Sequence, residues 1–426
     1  MTLNLRKGRL KVLILIILCV FTILQNYNYV INQDSNNASK EGNIERNTYD
    51  NLMLQTTYWT ETHIFINDSD PAANWNITML TNEWCTGSGI SGDPYMIDTV
   101  LLLRGSSETN IEIVNSRVYF QINNCLFLDC DKGINLNNVS NGIISNNVII
   151  DMGSNFIEIN NCTNISIENN QITDICMEGI IVAHSTNISI IENKIDTFCG
   201  MNHGISLSYV NYSYIINNTV SFTGGYVKIE VYRSHNNLIM NNSLISTGGS
   251  GVLLYNSPYN NITHNTIKDC SDGIELYTNS MFNQISSNHI AVRYDAIDIW
   301  DSNLNLIFNN SIDDSMTFDN DQGKRGVSLI RSNNNTIVSN HIANLVGAIA
   351  LYGSNFSKII NNTLFHNGYC ISEYDSVGNV FENNSCIPIP SNQLQINGYL
   401  VFLVIIISCL GILFCLKKTF KELSLN

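Results

Sequence analysis

Between residues 110 and 390 the apolar positions fall in short alternating runs, each closed by Asn, Gly, Ser or Asp. One unit contains "NTI" (265–267), "GIEL" (273–276) and "NQIS" (283–286). Counterparts of its middle run are "GINL" (133–136), "GISL" (204–207), "AIDI" (296–299), "GVSL" (326–329) and "AIAL" (348–351). Alternation this brief, punctuated by turn residues, predicts strands with one buried face rather than helices.

The runs recur with a period. Asn stands two residues before an aliphatic residue (Cys386 in the last case) at Asn124, Asn147, Asn170, Asn193, Asn218, Asn242, Asn265, Asn288, Asn310, Asn340, Asn362 and Asn384. The spacings are 23, 23, 23, 25, 24, 23, 23, 22, 30, 22 and 22 residues. The single long interval coincides with the polar insertion "DSMTFDNDQGKR" (314–325). Three strands and three turns per period make one coil, so the pattern predicts an all-β parallel solenoid of about 12 coils over residues 61–390. Leucine-rich repeats share the period, but their L-x-x-L-x-L consensus is missing.

Asn makes up 66 of the 426 residues, although it is a poor strand former. Stacked coils bring equivalent residues to roughly 4.8 Å from one another, so an Asn column can hydrogen-bond as a ladder. Asn also tolerates the left-handed backbone of a sharp corner. The anchors are therefore expected to be structural corner residues. Cys130, Cys176 and Cys199 fall six residues after their anchors, and Cys270 and Met152 fall five after theirs. This predicts an inward column of small, soft side chains. A Cys176–Cys199 disulfide between adjacent coils is also geometrically allowed. Nine cysteines lie between the two hydrophobic termini, an odd number, and no CxxC pair supports a zinc ribbon or a thioredoxin motif.

Those termini set the domain plan. Residues 1–25 place "VLILIILCVFTIL" after four basic residues, the layout of a signal peptide or signal anchor. A polar linker, 26–60, precedes the solenoid, and a second linker, 391–398, follows it. "YLVFLVIIISCLGILFCL" (399–416) is long enough to cross a bilayer, and the lysine-bearing tail 417–426 is expected on the cytoplasmic side. The expected location is the cell membrane, single-pass or doubly anchored, with the solenoid outside and lipid contacted through the C-terminal helix. The net charge of −15 argues against a nucleic-acid partner, which needs a basic stripe.

The N-x-I-x-x-N-x-I phrasing with G-I-x-L between resembles the right-handed parallel β-helix repeats of NosD-like proteins. "WCTGSGISGDPYMIDTVLLL" (84–103) and "NIEIVNSRVYFQINNCLF" (110–127) resemble the first coils of archaeal and bacterial surface members. The resemblance implies a right-handed β-helix over most of the chain. For function it implies only a range: accessory proteins for copper delivery, polysaccharide lyases, glycoside hydrolases and surface proteins.

Candidate chemistry must then come from outward positions. Read by this alignment, one outward column runs Ser206, Lys228, Leu253, Glu275, Asp298 and Ser328. A second runs Ser208, Glu230, Tyr255, Tyr277, Trp300 and Ile330. Tyr255, Tyr277, Trp300, Glu230, Glu275 and Asp298 are the candidate ligand-binding set, since rings pack on sugar faces while carboxylates accept from hydroxyls. Asp272, Asp295 and Asp298 are candidate Ca²⁺ ligands. Asp295, Asp298, Glu275 and Arg293 are candidate catalytic groups, by analogy with carboxylate-based glycoside cleavage and with lyases that need a base. Aromatic residues also favour sheet surfaces for packing alone, so plain packing stays open beside these. His289 and His341 share a column two coils apart, roughly 10 Å, too far for one metal ion; Met201 and His203 are the only close Met/His pair. Sixteen N-x-S/T sequons occur, among them Asn67, Asn76, Asn187, Asn261 and Asn355. The expectation is a membrane-anchored glycan-binding, adhesive or structural module. The alternatives are a polysaccharide lyase or hydrolase, and an accessory for metalloenzyme maturation.

Overall fold

The computed structural model describes residues 58–388, except 105–108, 176, 198–202, 223–224 and 314–323. Both hydrophobic termini, the linkers other than residues 58–60, the Cys176–Cys199 pair, Met201 and most of the polar insertion lie outside the described residues. Among the described residues no helix is long and apolar enough to cross a membrane.

The short alternating runs become three sheets of 14, 14 and 13 strands. We name them after one coil: sheet A holds Thr266–Lys268, sheet B holds Asp272–Tyr277 and sheet C holds Gln284–Ser286. The chain visits A, B and C in turn, and each strand pairs in parallel with its equivalent one coil on. The one antiparallel strand pair among the described residues joins Cys85–Thr86 to Tyr95–Asp98 at the start. Ile262, Ile267, Ile274, Leu276, Ile285 and Ile290 point inward with no exposure. Each such side chain contributes roughly 2 kcal/mol by leaving water. A short helix, Trp75–Thr81, lies near the start, with Asn74 accepting from Ile77 N at 3.0 Å as its N-cap. Its buried Trp75 stacks on Tyr95 at 5.1 Å and donates to Ser116 Oγ at 3.1 Å.

The Asn ladder is real but built differently from the expectation. From Asn147 to Asn384 each anchor Oδ1 accepts from the preceding anchor or its equivalent; Asn265, for instance, donates from N at 2.9 Å and from Nδ2 at 3.0 Å to Asn288 Oδ1. Nδ2 also donates inward, as from Asn265 to Ile239 O at 2.9 Å. These Asn residues do not occupy the left-handed corner. That position belongs to the residue before each one, including Asn146, Asn169, Asn217, Asn241, Asn309 and Asn361. Asn124 is a corner residue of that second kind, exposed at φ 52°, and Cys125 N takes its ladder place by donating to Asn147 Oδ1 at 2.9 Å. A second ladder, unanticipated, runs Asn237, Asn260, Asn283, Asn305 and Asn335, and a third of serines runs Ser234, Ser257, Ser280, Ser302, Ser332 and Ser354.

Cys130 and Cys270 are buried free thiols, as the inward column predicted. Near the C-terminal end Cys370 and Cys386 form a disulfide that the column argument missed.

Candidate functional site: the acid and aromatic strip of sheet B

Five consecutive strands of sheet B carry the site: Val227–Tyr232, Ser250–Tyr255, Asp272–Tyr277, Ile297–Trp300 and Arg325–Ile330. Their register is Glu230, Leu253, Glu275, Asp298 and Ser328 in one column. Two residues on it is Tyr232, Tyr255, Tyr277, Trp300 and Ile330. This corrects the sequence alignment by two residues in one coil. Glu230 belongs to the first column rather than the second, Tyr232 takes the place given to it, and Lys228 is not outward at all. The turn ahead of this strand is longer than most: Glu230 stands twelve residues after Asn218, whereas Asp298 stands ten after Asn288.

The aromatic strip therefore has four members. Tyr232 and Tyr255 stack at 5.5 Å with 16° between planes, and Tyr277 and Trp300 tilt at 6.1 Å. Tyr255 is 38% exposed and the others are half-buried. Arg233 lies over Tyr232 at 5.2 Å, and Arg331 over Trp300 at 5.4 Å while paired with Asp301. The rings are tied to the acids beside them. Tyr277 donates to Glu275 Oε1 at 2.6 Å, Ser250 donates to Glu275 Oε2, and Trp300 Nε1 donates to Asp298 Oδ2.

Asp298 is 7% exposed, and burial pushes its carboxyl up to about 7. Its Oδ1 is buried without a hydrogen-bond partner, as is Ser328 Oγ one coil on. That hydroxyl is near enough to hold the carboxyl down somewhat, but the geometry is not that of a hydrogen bond. Asp272 is raised to about 6, by burial first and by Glu275 second. Its Oδ1 accepts from Asp295 N at 3.1 Å, and Asp295 Oδ1 in turn accepts from Arg325 N at 3.0 Å. The two aspartates thus tie successive coils together.

Arg325 is the residue that sequence reasoning missed. Its guanidinium grips Asp295 through Nε to Oδ1 at 3.1 Å and Nη2 to Oδ2 at 2.7 Å. Its position in "DNDQGKRGVSL" (319–329) put it inside the insertion, yet it stands next after Asp295 in the coil-to-coil order. Arg293, the candidate base, is exposed in a turn, and its backbone N–H donates to Cys270 O at 2.9 Å. No group of three or more His, Cys, Asp or Glu among the described residues is arranged to hold a metal ion, and the Asp295 carboxylate is filled by Arg325. His289 and His341 are in register on strands separated by Ser311, two coils apart.

Lys228 is wholly buried, donates from Nζ to Gly248 O at 2.6 Å, and is pushed down by burial to about 8. It sits in line with Gly204, Gly251, Gly273, Ala296, Gly326 and Ala348, where the neighbouring coils carry a methyl group or no side chain.

A family model described as the right-handed beta helix region matches residues 157–311. This β-helix thus carries the matched region across the whole strip up to Trp300. The match is to the broad β-helix group rather than to NosD-like proteins. Among solved structures, the A-module of an Azotobacter vinelandii mannuronan C-5 epimerase is 15% identical, over 71% of this chain and 87% of its own, with a TM-score of 0.38. A DFA-IIIase of Arthrobacter chlorophenolicus without its lid is 13% identical, over 78% of this chain and 100% of its own, with a TM-score of 0.38. PfbA, a surface adhesin of Streptococcus pneumoniae, is 12% identical, over 67% of this chain and 83% of its own, with a TM-score of 0.38. Likeness at this level carries no argument about activity. No curated protein matches the sequence.

Proposed function

We propose that this β-helix is a surface module that binds an extended polysaccharide along sheet B. Tyr232, Tyr255, Tyr277 and Trp300 supply the stacking surface, Glu230 and Glu275 accept from sugar hydroxyls, and Asp298 holds the Trp300 ring in place. The observation that carries this reading is the aromatic column itself: four rings in register on consecutive coils, with acids two residues before three of them. Aromatic rings on a rigid sheet combine apolar area with little conformational freedom to lose on binding. Hydrogen bonds from Tyr277 and Trp300 fix the ring edges, and the part-exposed Glu230 and Glu275 keep carboxylate lone pairs for a ligand.

The solenoid belongs, in this reading, outside the cell and is held there by residues 399–416. The uncharged run in that segment supports this, and so does the Cys370–Cys386 disulfide, because disulfides persist in oxidising compartments. An accessory role in copper delivery is less well supported. Burial pushes Cys125 up to about 12 and Cys130, Cys162 and Cys270 up to about 11, which keeps them protonated and poor metal ligands.

One observation favours a second reading, chain cleavage. Burial pushes the Asp298 carboxyl up to about 7, the range in which a general acid works. Retention of the full chain, purified in detergent, on a panel of neutral and anionic polysaccharides separates the two. Retention with no new reducing or unsaturated ends supports binding. Cleavage abolished by Asp298→Asn makes the protein an enzyme. Neither signal leaves the strip as sheet packing and refutes both.

A further inference from the structure

A second polar group lies on sheet B, ahead of the aspartates. His203 Nδ1 is 3.0 Å from Glu178 Oε1 on the preceding coil, and its Nε2 is 3.7 Å from Glu230 Oε2 on the following one. Ser206 Oγ donates to that same Glu230 oxygen at 3.0 Å. The side chains of Glu178, His203 and Glu230 are 23, 19 and 22% exposed, so they are held in place yet reachable from outside.

The two sides of the ring differ in kind. A carboxylate only accepts, so Glu178 fixes a proton on Nδ1 and sets the ring plane. On the other side, 3.7 Å is beyond hydrogen-bond length. A hydroxyl seated between Nε2 and Glu230 Oε2 can accept from an Nε2–H and donate to the carboxylate. A water or an alcohol has both functions; an amine cation or a carboxylate has only one. The gap therefore selects for hydroxyl groups. Tyr232 stands two residues beyond Glu230, with its ring stacked on Tyr255.

We propose that Glu178, His203, Ser206 and Glu230 form a hydroxyl-binding subsite for a sugar unit lying against Tyr232 and Tyr255, with one ligand hydroxyl bridging His203 Nε2 and Glu230 Oε2. This rests on the polysaccharide-binding reading and extends it toward the N-terminal coils. It also gives the site a neutral recognition element, since hydroxyls are common to neutral and acidic sugars.

The test titrates the full chain with cellohexaose as a neutral probe and hexagalacturonate as an anionic one. Whichever probe the wild type binds, His203→Ala weakens it about tenfold, the loss of one charge-assisted hydrogen bond. His203→Gln, whose amide also donates, recovers part of that loss, and Glu230→Gln weakens binding comparably to His203→Ala. Thermal midpoints are recorded alongside, and Ser206→Ala and Glu230→Gln serve as the gentler changes if His203→Ala unfolds. If Trp300→Ala weakens binding while the His203 and Glu230 variants stay within twofold of wild type, the subsite is wrong and the stacking reading stands. If the wild type binds neither probe, both fail.

Discussion

Arg325 and Asp295, thirty residues apart in sequence and one coil apart in space, meet through two parallel hydrogen bonds of 3.1 and 2.7 Å. The Asp295 side chain is 9% exposed and that of Arg325 is 24% exposed, so the pair closes the inner edge of the strip largely away from water. Burial pushes the Asp295 carboxyl above the ordinary aspartate range against the opposing pull of Arg325. An acid that strands an uncompensated charge when its partner is removed makes a sharp test. Arg325→Ala is expected to cost about 3 kcal/mol, read by denaturant unfolding. Replacing both residues with a neutral pair should cost less than the single change. Equal costs would show that the ion pair has no energetic role.

A ladder asparagine from the middle should matter more than one from the end. Asn265→Ala removes the acceptor for Asn242 N and Nδ2 and leaves Ile239 O without its 2.9 Å donor. The expected cost is about 3 kcal/mol, because several buried groups lose partners at once. Asn384→Ala, in the partly exposed last coil, should cost under about 1 kcal/mol since water can replace its bonds. Similar values for the two would contradict the buried-ladder account.

The pH dependence has an unusual sign. Asp298 and Asp272 hold their protons to about 7 and about 6 in the fold, against 3.8 for an ordinary aspartate. Between the ordinary and folded values the native state binds protons that the unfolded chain has released. Their contribution is therefore fully present below about pH 4 and is lost as pH rises through about 6 to 7. The lowered Asp301 titrates the other way, but it is exposed and screened. The thermal midpoint should fall from pH 5 to pH 8, and Asp298→Asn should flatten that slope. A slope unchanged by the substitution would show that Asp298 ionises normally.

Reduction should loosen one end only. The Cys370–Cys386 disulfide closes 16 residues across the last strands, which favours the fold by about 3 kcal/mol in the chain-entropy account. Hydrogen exchange after reduction should accelerate at Tyr369–Tyr374 and Val380–Glu382 and stay unchanged at Asp272–Tyr277. Acceleration along the whole solenoid would mean that the coils unfold as one unit.

The fold was largely legible because its signal is repeated: the inward aliphatics and Asn147 through Asn384 recur wherever a coil closes. The site was legible only in part. Asp298, Glu275, Tyr277 and Trp300 fell in correct register since their coils share one turn length. Glu230 was misplaced and Tyr232 missed because the turn before their strand is longer; a slip of two residues left Glu230 on an outward column but put the buried Lys228 on one as well. Arg325 was hidden because an insertion interrupts the period just before it. Asn124 was misassigned because Asn serves both at the corner and in the ladder, and its neighbour Cys125 carries the ladder bond without an amide side chain.

The most direct measurement is the affinity of the full chain for oligosaccharides of increasing length, drawn from whichever polymer it retains. Four rings in register span roughly 14 Å along the coils. Affinity should rise with length until the oligomer covers that span and then level off, with Trp300→Ala shortening the rise. Affinity independent of length, or unaffected by Trp300→Ala and Tyr255→Ala, would contradict a ligand lying along sheet B.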